Sequence, residues 1–368
     1  MKNRTALKLK AIITTLVMYC FSLGINAQLT SRIDSLAQAY HIKGFNGNIL
    51  YSKNDSIIFT GNYGYADISS SRQLNDTTIF ELASVSKQFT ALAIVQLVEQ
   101  NRLEYHTNVH QILDGFPYES ITVEHLLRHQ SGLPDYQKLL YDKKHWNRKN
   151  QAANKDVLAL LTKVKPALLF LPGSRYEYDN TGYALLALII EQVSGKSYQT
   201  YIEEHIFIPA KMVHAKVYTT SQKAKSFKNV AHGYTFNTKK KRLESIEKNK
   251  SHKHIHWMNH IVGDRGIYAS ILDLENWKRA LRNNTLISAQ SKEQMFSTDS
   301  ISTKYGYGFA IYKTEKKGKW VYHNGSWSGY KTTAIYLPRT NEYLVILSNN
   351  RYEQTYKKFE DDFYAIIQ

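Results

Sequence analysis

Ser84 and Lys87 are the two residues whose types and spacing first suggest chemistry in this chain. A serine hydroxyl is a poor nucleophile at neutral pH and needs a base within hydrogen-bond reach. A lysine amine can be that base if burial and neighbouring cations lower its pKa. Because residues i and i+3 of a helix lie on one face, the spacing predicts that the two side chains meet. Ser84 and Lys87 are therefore a candidate nucleophile and its base.

An apolar run distinguishes this pair from two other Ser-x-x-Lys matches in the chain. From Phe89 to Val98 nearly every side of the predicted helix is apolar, which is typical of a helix packed on all sides. Ser84 stands where this helix is predicted to begin, and a helix N-terminus offers free N–H groups to an oxyanion. The matches Ser245 to Lys248 and Ser328 to Lys331 open no apolar helix. For a match without such a helix, a helix cap followed by a solvated lysine is the better interpretation.

Tyr178 and Asn180 form a second polar motif, in a predicted loop before another apolar helix. Beside a lysine ammonium, a tyrosine phenol can lose or share its proton and pass it to a leaving group. The amide of Asn180 has both a donor and an acceptor, which suits it to hold a substrate amide or to orient Lys87. The alternative is an ordinary loop, in which Tyr and Asn are common.

The third motif is His323-Asn324-Gly325-Ser326, which we predict at the end of a strand over Trp320 to Tyr322. Glycine on a strand edge permits close approach of a ligand backbone, so the N–H of Ser326 can point at a substrate carbonyl. His323 can bind an anionic group or relay a proton. The alternative is a histidine in a turn.

The three motifs in this chain order resemble those of the penicillin-recognising serine hydrolases. That group includes class C β-lactamases, D-alanyl-D-alanine carboxypeptidases, D-aminopeptidases and related esterases. The resemblance runs over nearly the whole chain after the N-terminal segment. It rests on the ordered set Ser84-x-x-Lys87, Tyr178-x-Asn180 and His323-x-Gly325.

The resemblance implies a role for each motif residue. Ser84 would attack a carbonyl and form an acyl-enzyme, while Lys87 and Tyr178 would shuttle protons. Asn180 would hold the substrate amide, and the N–H groups of Ser84 and Ser326 would form the oxyanion hole. The resemblance also implies an antiparallel sheet, with the nucleophile helix at its junction with a helical lobe.

One departure from the family pattern concerns the substrate. Where the lactamases usually carry Lys-Thr-Gly, this chain has His323-Asn324-Gly325. An imidazole with a pKa near 6.5 replaces a permanent ammonium, so we expect carboxylate-bearing substrates to bind more strongly as the pH falls toward 6. A D-alanyl-D-alanine carboxypeptidase-like peptidase is the leading hypothesis. The alternatives are an esterase, a weak β-lactamase, and a catalytically silent protein that binds peptidoglycan.

The elements that must position these motifs predict an α+β fold. Short β-branched and aromatic runs at 47–52 and 56–60 predict a hairpin, and further strands are predicted at 305–312, 320–323, 332–337 and 342–347. Helical patterns lie between them. We therefore expect an antiparallel sheet built from both chain ends, with flanking helices and an inserted helical lobe. The sheet lobe would span about 28–85 and 262–368, and the helical lobe about 86–261.

The N-terminus has the pattern of a secretory signal peptide. Residues 1–10 are basic, residues 11–25 are apolar, and Ala27 precedes a plausible cleavage point, so we predict a signal over 1–27 and one domain over 28–368. A secreted or periplasmic protein is expected, without a stable membrane span after cleavage because the run is short. Cleavage would remove Cys20, the only cysteine, leaving neither disulfides nor a thiol nucleophile.

The net charge of +17 bears on binding partners. Much of the excess lies in 223–253, so we interpret it as local and expect no nucleic-acid partner. Expected ligands are a small peptide, a β-lactam or an ester, with cell-wall peptidoglycan as a further candidate. The Lys/His-rich segment 221–260 is the least structured by pattern, and its role stays open. Its run Lys239 to Arg242 is interpreted as a solvated loop, with contact to a cell-wall polymer as the alternative.

Several histidines are weighed and set aside. His252, His254 and His256 would share one face of a strand, but they have no carboxylate among them and cationic surroundings, so no metal is expected. No cofactor is expected either, and the sequence has no P-loop. His129, two residues before Ser131 in a breaker-rich turn, is assigned a structural role, and His232 is a weak candidate for substrate contact.

Overall fold

The computed structural model describes residues 27–218, 229–237, 239–351 and 353–367. The predicted signal peptide, apart from Ala27, lies outside the described residues, as does the part of the Lys/His-rich segment before residue 229. Within the described ranges, none of the helices combines the length and the apolar character needed to cross a bilayer.

A six-stranded antiparallel sheet forms the centre of the fold and takes strands from both chain ends. The two N-terminal strands lie at one edge, and the first of them pairs with the last main-sheet strand in the register Gly47 to Ser348. The α+β prediction is confirmed. In spatial order the strands are Ala310–Thr314, Gly318–Trp327, Tyr330–Leu337, Glu342–Ser348, Gly47–Lys53 and Ser56–Tyr63.

Both faces of this sheet are covered, so the central strands Glu342–Ser348 and Gly47–Lys53 are buried along nearly their whole length rather than at alternate residues. The helix over residues 27–42 and the C-terminal helix Glu353–Ile367 contribute Ile33 and Phe359 to one core, together with Ile346 of the sheet. Val345, the neighbour of Ile346, points to the opposite core beside the nucleophile helix.

The remaining helices and strands do not belong to the six-stranded sheet. The α-helices are Lys87–Glu99, Val123–Leu127, Tyr136–Tyr141, Asn154–Val164, Thr181–Ser194, Tyr198–Ile202, Ile255–Met258, Ile271–Arg282 and Ala289–Met295. Short 3-10 turns span Ala83–Ser86, Val109–Gln111 and Lys250–His252, and a π-helical turn spans Glu203–Phe207. Minor strands are Tyr65–Asp67, Arg72–Gln73, Phe80–Glu81, Lys216–Val217, Tyr234–Asn237, Arg242–Ser245, Ile267–Ala269 and Asn350–Arg351.

The nucleophile helix Lys87–Glu99 is buried from its first residue to Leu97, as its apolar sequence predicts. It packs against the apolar helix Thr181–Ser194, which ends at Gly195 in the left-handed conformation. The α-helix begins at Lys87 rather than at Ser84. Ser84 lies instead in the 3-10 turn Ala83–Ser86 that leads into the helix.

Two predicted stretches differ from the structure. The segment predicted as least structured contains an antiparallel hairpin, Tyr234–Asn237 with Arg242–Ser245, because its first strand also pairs with Asn350–Arg351 far along the chain. The strand predicted from Tyr305 begins only at Ala310. The chain turns before it at Gly308, whose φ of +75° requires glycine.

Candidate active site

Ser84 is held in a turn that the sheet supports directly. Val85 N donates to Leu82 O at 3.2 Å across the turn, and the hydroxyl of Thr332 donates to Leu82 O at 2.7 Å from the neighbouring strand. Ala83, just before the nucleophile, has a φ of +50°, a left-handed conformation that is uncommon for a residue with a side chain. Ser84 itself stays partly accessible at the surface of the cleft.

Lys87 is completely buried, and its ammonium group has three acceptors. Nζ donates to Ser84 Oγ at 3.2 Å, to Asn180 Oδ1 at 2.9 Å and to Asp264 O at 3.1 Å. Burial lowers the pKa of Lys87 to about 8, although nearby carboxylates, Asp264 first, oppose this effect. A sizeable fraction of the amine is therefore neutral close to physiological pH, as a base for Ser84 requires.

Asn180 connects two of the predicted motifs. It lies at the N-cap of the helix Thr181–Ser194, where its Oδ1 accepts from Lys87 and its Nδ2 donates to Asp135 Oδ2 at 3.4 Å. Of the two functions considered from the sequence, orienting Lys87 is the one visible in this geometry. Asn180 also lines the cleft, where it can reach a substrate.

Tyr178 faces Lys87 through its ring. Nζ of Lys87 lies 4.9 Å from the ring centroid, while the phenol makes a hydrogen bond with Ser84. Although 39% of the residue is exposed, its hydroxyl end is enclosed, and burial raises the pKa of Tyr178. Of the two expectations for this phenol, burial disfavours loss of the proton, and sharing the proton with a neighbouring group stays a prediction.

His323 is buried, with 5% of its surface exposed, and both ring nitrogens have partners. Nδ1 lies 2.8 Å from the carbonyl of Asn324, which can only accept, so Nδ1 carries the proton. Nε2 then accepts from the phenol of Tyr305 at 2.9 Å. Burial and the charge of Lys87 lower the pKa of His323 to about 3. The expectation that His323 becomes charged near pH 6 is therefore wrong, because the environment disfavours the imidazolium.

Gly325 and Ser326 lie inside the strand Gly318–Trp327, not after its end as predicted. The adjacent strand Ala310–Thr314 pairs only as far as Tyr322, so the following residues have one edge without a strand partner. A Cβ on Gly325 would lie 2.1 Å from Thr332 Oγ1 and 2.3 Å from Leu82 O. The missing side chain of Gly325 thus makes room for the turn that carries Ser84, whereas we had expected it to make room for a ligand. This close packing also brings Ser326 near Ser84.

A cleft with a volume of about 560 Å³ brings the three motifs together. Ser84, Tyr178, Asn180, His323, Gly325 and Ser326 all line it, and Lys87 lies behind Ser84 in the core. The sequence reasoning missed Lys331, Tyr305 and Tyr176 as lining residues. Lys331 had been considered only as part of a Ser-x-x-Lys match, although its register opposite Ser326 shows why it reaches the cleft.

Three carboxylates around Lys87 were also missed. Asp135, Asp179 and Asp264 each act on its ammonium group and raise its pKa. Asp179 accepts from Gly182 N at 2.7 Å, and burial raises the pKa of Asp135. These residues lie far apart in the sequence and belong to no common motif, so only the folded chain brings them together.

Asp264 belongs to a buried polar network. The phenol of Tyr136 donates to Asp264 Oδ2 at 3.0 Å, and Arg265 Nη1 donates to both groups, at 2.6 Å and 3.2 Å respectively. Arg265 lies over the ring of Trp327 at 3.9 Å, next to Ser326 in the strand. The network therefore connects the surroundings of Lys87 to the strand that lines the cleft.

The histidines set aside from the sequence have other positions. His129 is fully buried and accepts from Asp179 N at 3.3 Å, consistent with a structural role. His252 and His256 lie in helical turns rather than on a strand, so they do not share the face assumed for them. Among the described residues, no cluster of three metal-ligating side chains occurs.

A serine hydroxyl beside a buried lysine amine of lowered pKa, in a cleft lined by a strand edge without a partner, is the arrangement expected of a serine hydrolase. The comparisons with known proteins agree with this class. Residues 29–368 match the family model described as Beta-lactamase, and the chain belongs to that family. The predicted resemblance and the assignment as a serine hydrolase of this type are both confirmed.

Individual relatives show how close the similarity is. The chain is 34% identical over 318 residues to penicillin-binding protein 4* of Bacillus subtilis (strain 168), a match that covers 85% of this chain and 70% of that protein. It superimposes on the crystal structure of a penicillin binding protein from Bacillus halodurans with a TM-score of 0.76 and 26% identity, covering 91% and 98% of the two chains. A D-stereospecific amidohydrolase from Streptomyces sp. shares the fold at a TM-score of 0.72 and 20% identity, covering 89% and 96%.

Proposed function

We propose that the protein is an exported D-alanyl-D-alanine carboxypeptidase-like peptidase whose nucleophile is Ser84. The observation that carries the acyl-enzyme mechanism is the 3.2 Å contact between Ser84 Oγ and the buried amine of Lys87. The similarity to penicillin-binding proteins supports the choice of substrate class. The replacement of Lys-Thr-Gly by His323-Asn324-Gly325 is consistent with a peptidase rather than an efficient lactamase.

The proposed reaction begins when Ser84 Oγ forms a bond to the substrate carbonyl carbon and Lys87 Nζ takes the hydroxyl proton. The oxyanion is held by the N–H groups of Ser84 and Ser326, as the family resemblance implies. The proton passes through Tyr178 to the leaving amine as the C–N bond breaks. Water then attacks the acyl carbon, the bond between that carbon and Ser84 Oγ breaks, a proton from the water passes through the same groups to Oγ, and the acid is released.

An esterase is the second candidate, and one observation favours it. His323 is neutral and both of its nitrogens are engaged, so this position offers no permanent cation to a substrate carboxylate. Lys331 and Lys357 both line the cleft, and because Lys357 pairs with Asp361, Lys331 would take that role in a peptidase. A substrate without a carboxylate, such as a neutral ester, would not need either residue.

A direct comparison of substrates tests the proposal. We expect the purified protein to release D-alanine from D-Ala-D-Ala peptides faster than it opens a chromogenic cephalosporin or cleaves short-chain aryl esters. The Ser84→Ala variant serves as the control for background hydrolysis. Turnover of the esters alone would replace the peptidase by the esterase, and the absence of both turnover and labelling by a fluorophosphonate would point to a catalytically silent protein that binds peptidoglycan.

Export is a separate proposal, which rests on the basic and apolar segments before Ala27. We expect cleavage before Gln28. Intact-mass measurement of the protein recovered outside the cytoplasm checks it, and retention of residues before Gln28 would contradict it.

A further inference from the structure

A second cavity of about 560 Å³ lies apart from the catalytic cleft. Its walls are Tyr141, Arg148 and residues of the segment 247–257, and we call it the cationic cavity. None of these residues lines the catalytic cleft. Its volume falls within the range of cavities that bind small ligands, roughly 300–1,000 Å³.

The charges around the cationic cavity are almost all positive. Arg148, Lys248, Lys250 and Lys253 line it, and Glu247 is its one carboxylate. Within the described ranges, no ion pair is formed by the three lysines, in contrast to Lys240 of the same segment, which pairs with Glu244. Like charges gathered around one concave space repel each other, and an anion entering that space relieves the repulsion.

The floor of the cationic cavity is aromatic and fixed. The rings of Tyr141 and Trp257 meet edge to face at 5.4 Å, and Arg148 lies 5.4 Å and 5.7 Å from their centroids. The backbone carbonyl of Trp257 accepts from Ala152 N at 2.7 Å, which ties the floor to the helical part of the fold. Arg148 also donates from Nη2 to the carbonyl of Tyr141, and these contacts hold its guanidinium at the cavity, where its other N–H groups can meet an oxyanion.

His254, which lines the cationic cavity, contacts the end of the strand that carries Ser326. His254 Nε2 and Ser328 Oγ are 2.6 Å apart, and the ring of His254 contacts that of Trp327 at 5.1 Å. His254 therefore separates the cavity from the turn that follows Ser326. A ligand bound there would sit next to the catalytic strand but outside the catalytic cleft.

We infer that the cationic cavity is a binding site for an anionic sugar-sized ligand, whose carboxylate or phosphate group is held by Arg148 and the three lysines over the aromatic floor. This site needs no participation from Ser84 or Lys87, so it stands independently of the proposed peptidase reaction. Carboxylate and phosphate share the chemistry that the cavity recognises, and two probes separate them.

The test compares two triple variants with the same change in charge. In the first, Lys248, Lys250 and Lys253 are changed to Gln. In the matched control, Lys239, Lys240 and Lys241 of the same segment, which do not line the cavity, are changed to Gln. Binding of glucuronate and of glucose 6-phosphate to the purified protein is measured by titration calorimetry at low ionic strength, with glucose as the neutral probe.

We expect at least one anionic probe to bind the unmodified protein and glucose not to bind. Since each partly screened charge contact is worth about two- to five-fold in affinity, loss of three contacts should make the first variant bind at least about ten-fold more weakly. The control should bind within about two-fold of the unmodified protein. Both variants should keep the thermal midpoint and the rate of fluorophosphonate labelling. Binding of neither anionic probe, or an equal loss in both variants, overturns the inference.

Discussion

Replacing Asp264 with Asn tests how the protein sets the basicity of Lys87. Among the groups that raise the pKa of Lys87 against the effect of burial, Asp264 is the strongest. The variant removes this carboxylate and leaves Arg265 without its neighbour's charge, and both changes disfavour the ammonium form. The pKa of Lys87, about 8 in the unmodified protein, should therefore fall further.

The size of the effect follows from the neutral fraction of the amine. At a pKa of about 8, roughly one tenth of Lys87 is neutral at pH 7, and a drop of about one unit would make roughly one half neutral. Acylation at pH 7 should then become several-fold faster. Above pH 9 the amine is neutral in both proteins, and the weaker base of the variant should make acylation about two- to three-fold slower. The two rate profiles should cross.

The assay is the rate of fluorophosphonate labelling of Ser84 between pH 5.5 and 10, with a thermal melt to verify folding. Glu81 is the control residue, because burial raises its pKa to about 7 and it accepts from Gly266 N near the same network. Glu81→Gln should leave the inflection near pH 8 in place. An inflection that stays fixed or moves upward in Asp264→Asn, or one that disappears in Glu81→Gln, would refute the assignment of the base to Lys87.

Three further predictions concern the nucleophile, the strand and the histidine. Ser84→Ala should abolish covalent labelling, measured by intact mass, whereas Ser245→Ala and Ser328→Ala should label normally; normal labelling of Ser84→Ala would exclude the mechanism. Gly325→Ala should lose most acylation and about 1–3 kcal/mol of unfolding free energy, measured by urea titration, because its Cβ would meet Leu82 O at 2.3 Å. Because the pKa of His323 is lowered to about 3, this residue should stay neutral between pH 7.5 and 5.5. It should therefore cause no change with pH in the ratio of KM for carboxylate-bearing and neutral substrates. Any pH dependence in that ratio should persist in His323→Gln, and its loss would restore the charge-switch hypothesis.

The sequence predicts well what depends on local pattern. The hairpin around Asn54 and Asp55 forms where β-branched runs flank two residues that tolerate positive φ. The nucleophile helix is buried because its sequence has no polar side to expose. Both features are encoded within about fifteen residues, a distance over which side-chain period and turn chemistry determine structure.

What depends on distant neighbours could not be predicted in the same way. The neutral state of His323 results from its burial beside Lys87 and Tyr305, and nothing adjacent to it in the sequence indicates that environment. The hairpin at Tyr234 forms in a lysine-rich stretch because Asn350, more than a hundred residues away, supplies a third strand. Local composition indicates whether a segment is exposed to solvent, whereas strand pairing of this kind depends on the whole fold.

The position of Lys87 reconciles two opposed requirements. A lysine must be buried to become a base near neutral pH, yet a buried ammonium without compensation would destabilise the fold. Placing Lys87 in the buried first turn of its helix meets the first requirement, and the carboxylates of Asp135, Asp179 and Asp264 meet the second. Too few carboxylates would leave a weak base, and too many would keep the amine protonated. The network around Asp264 therefore adjusts the basicity of Lys87, on which its contact with Ser84 depends.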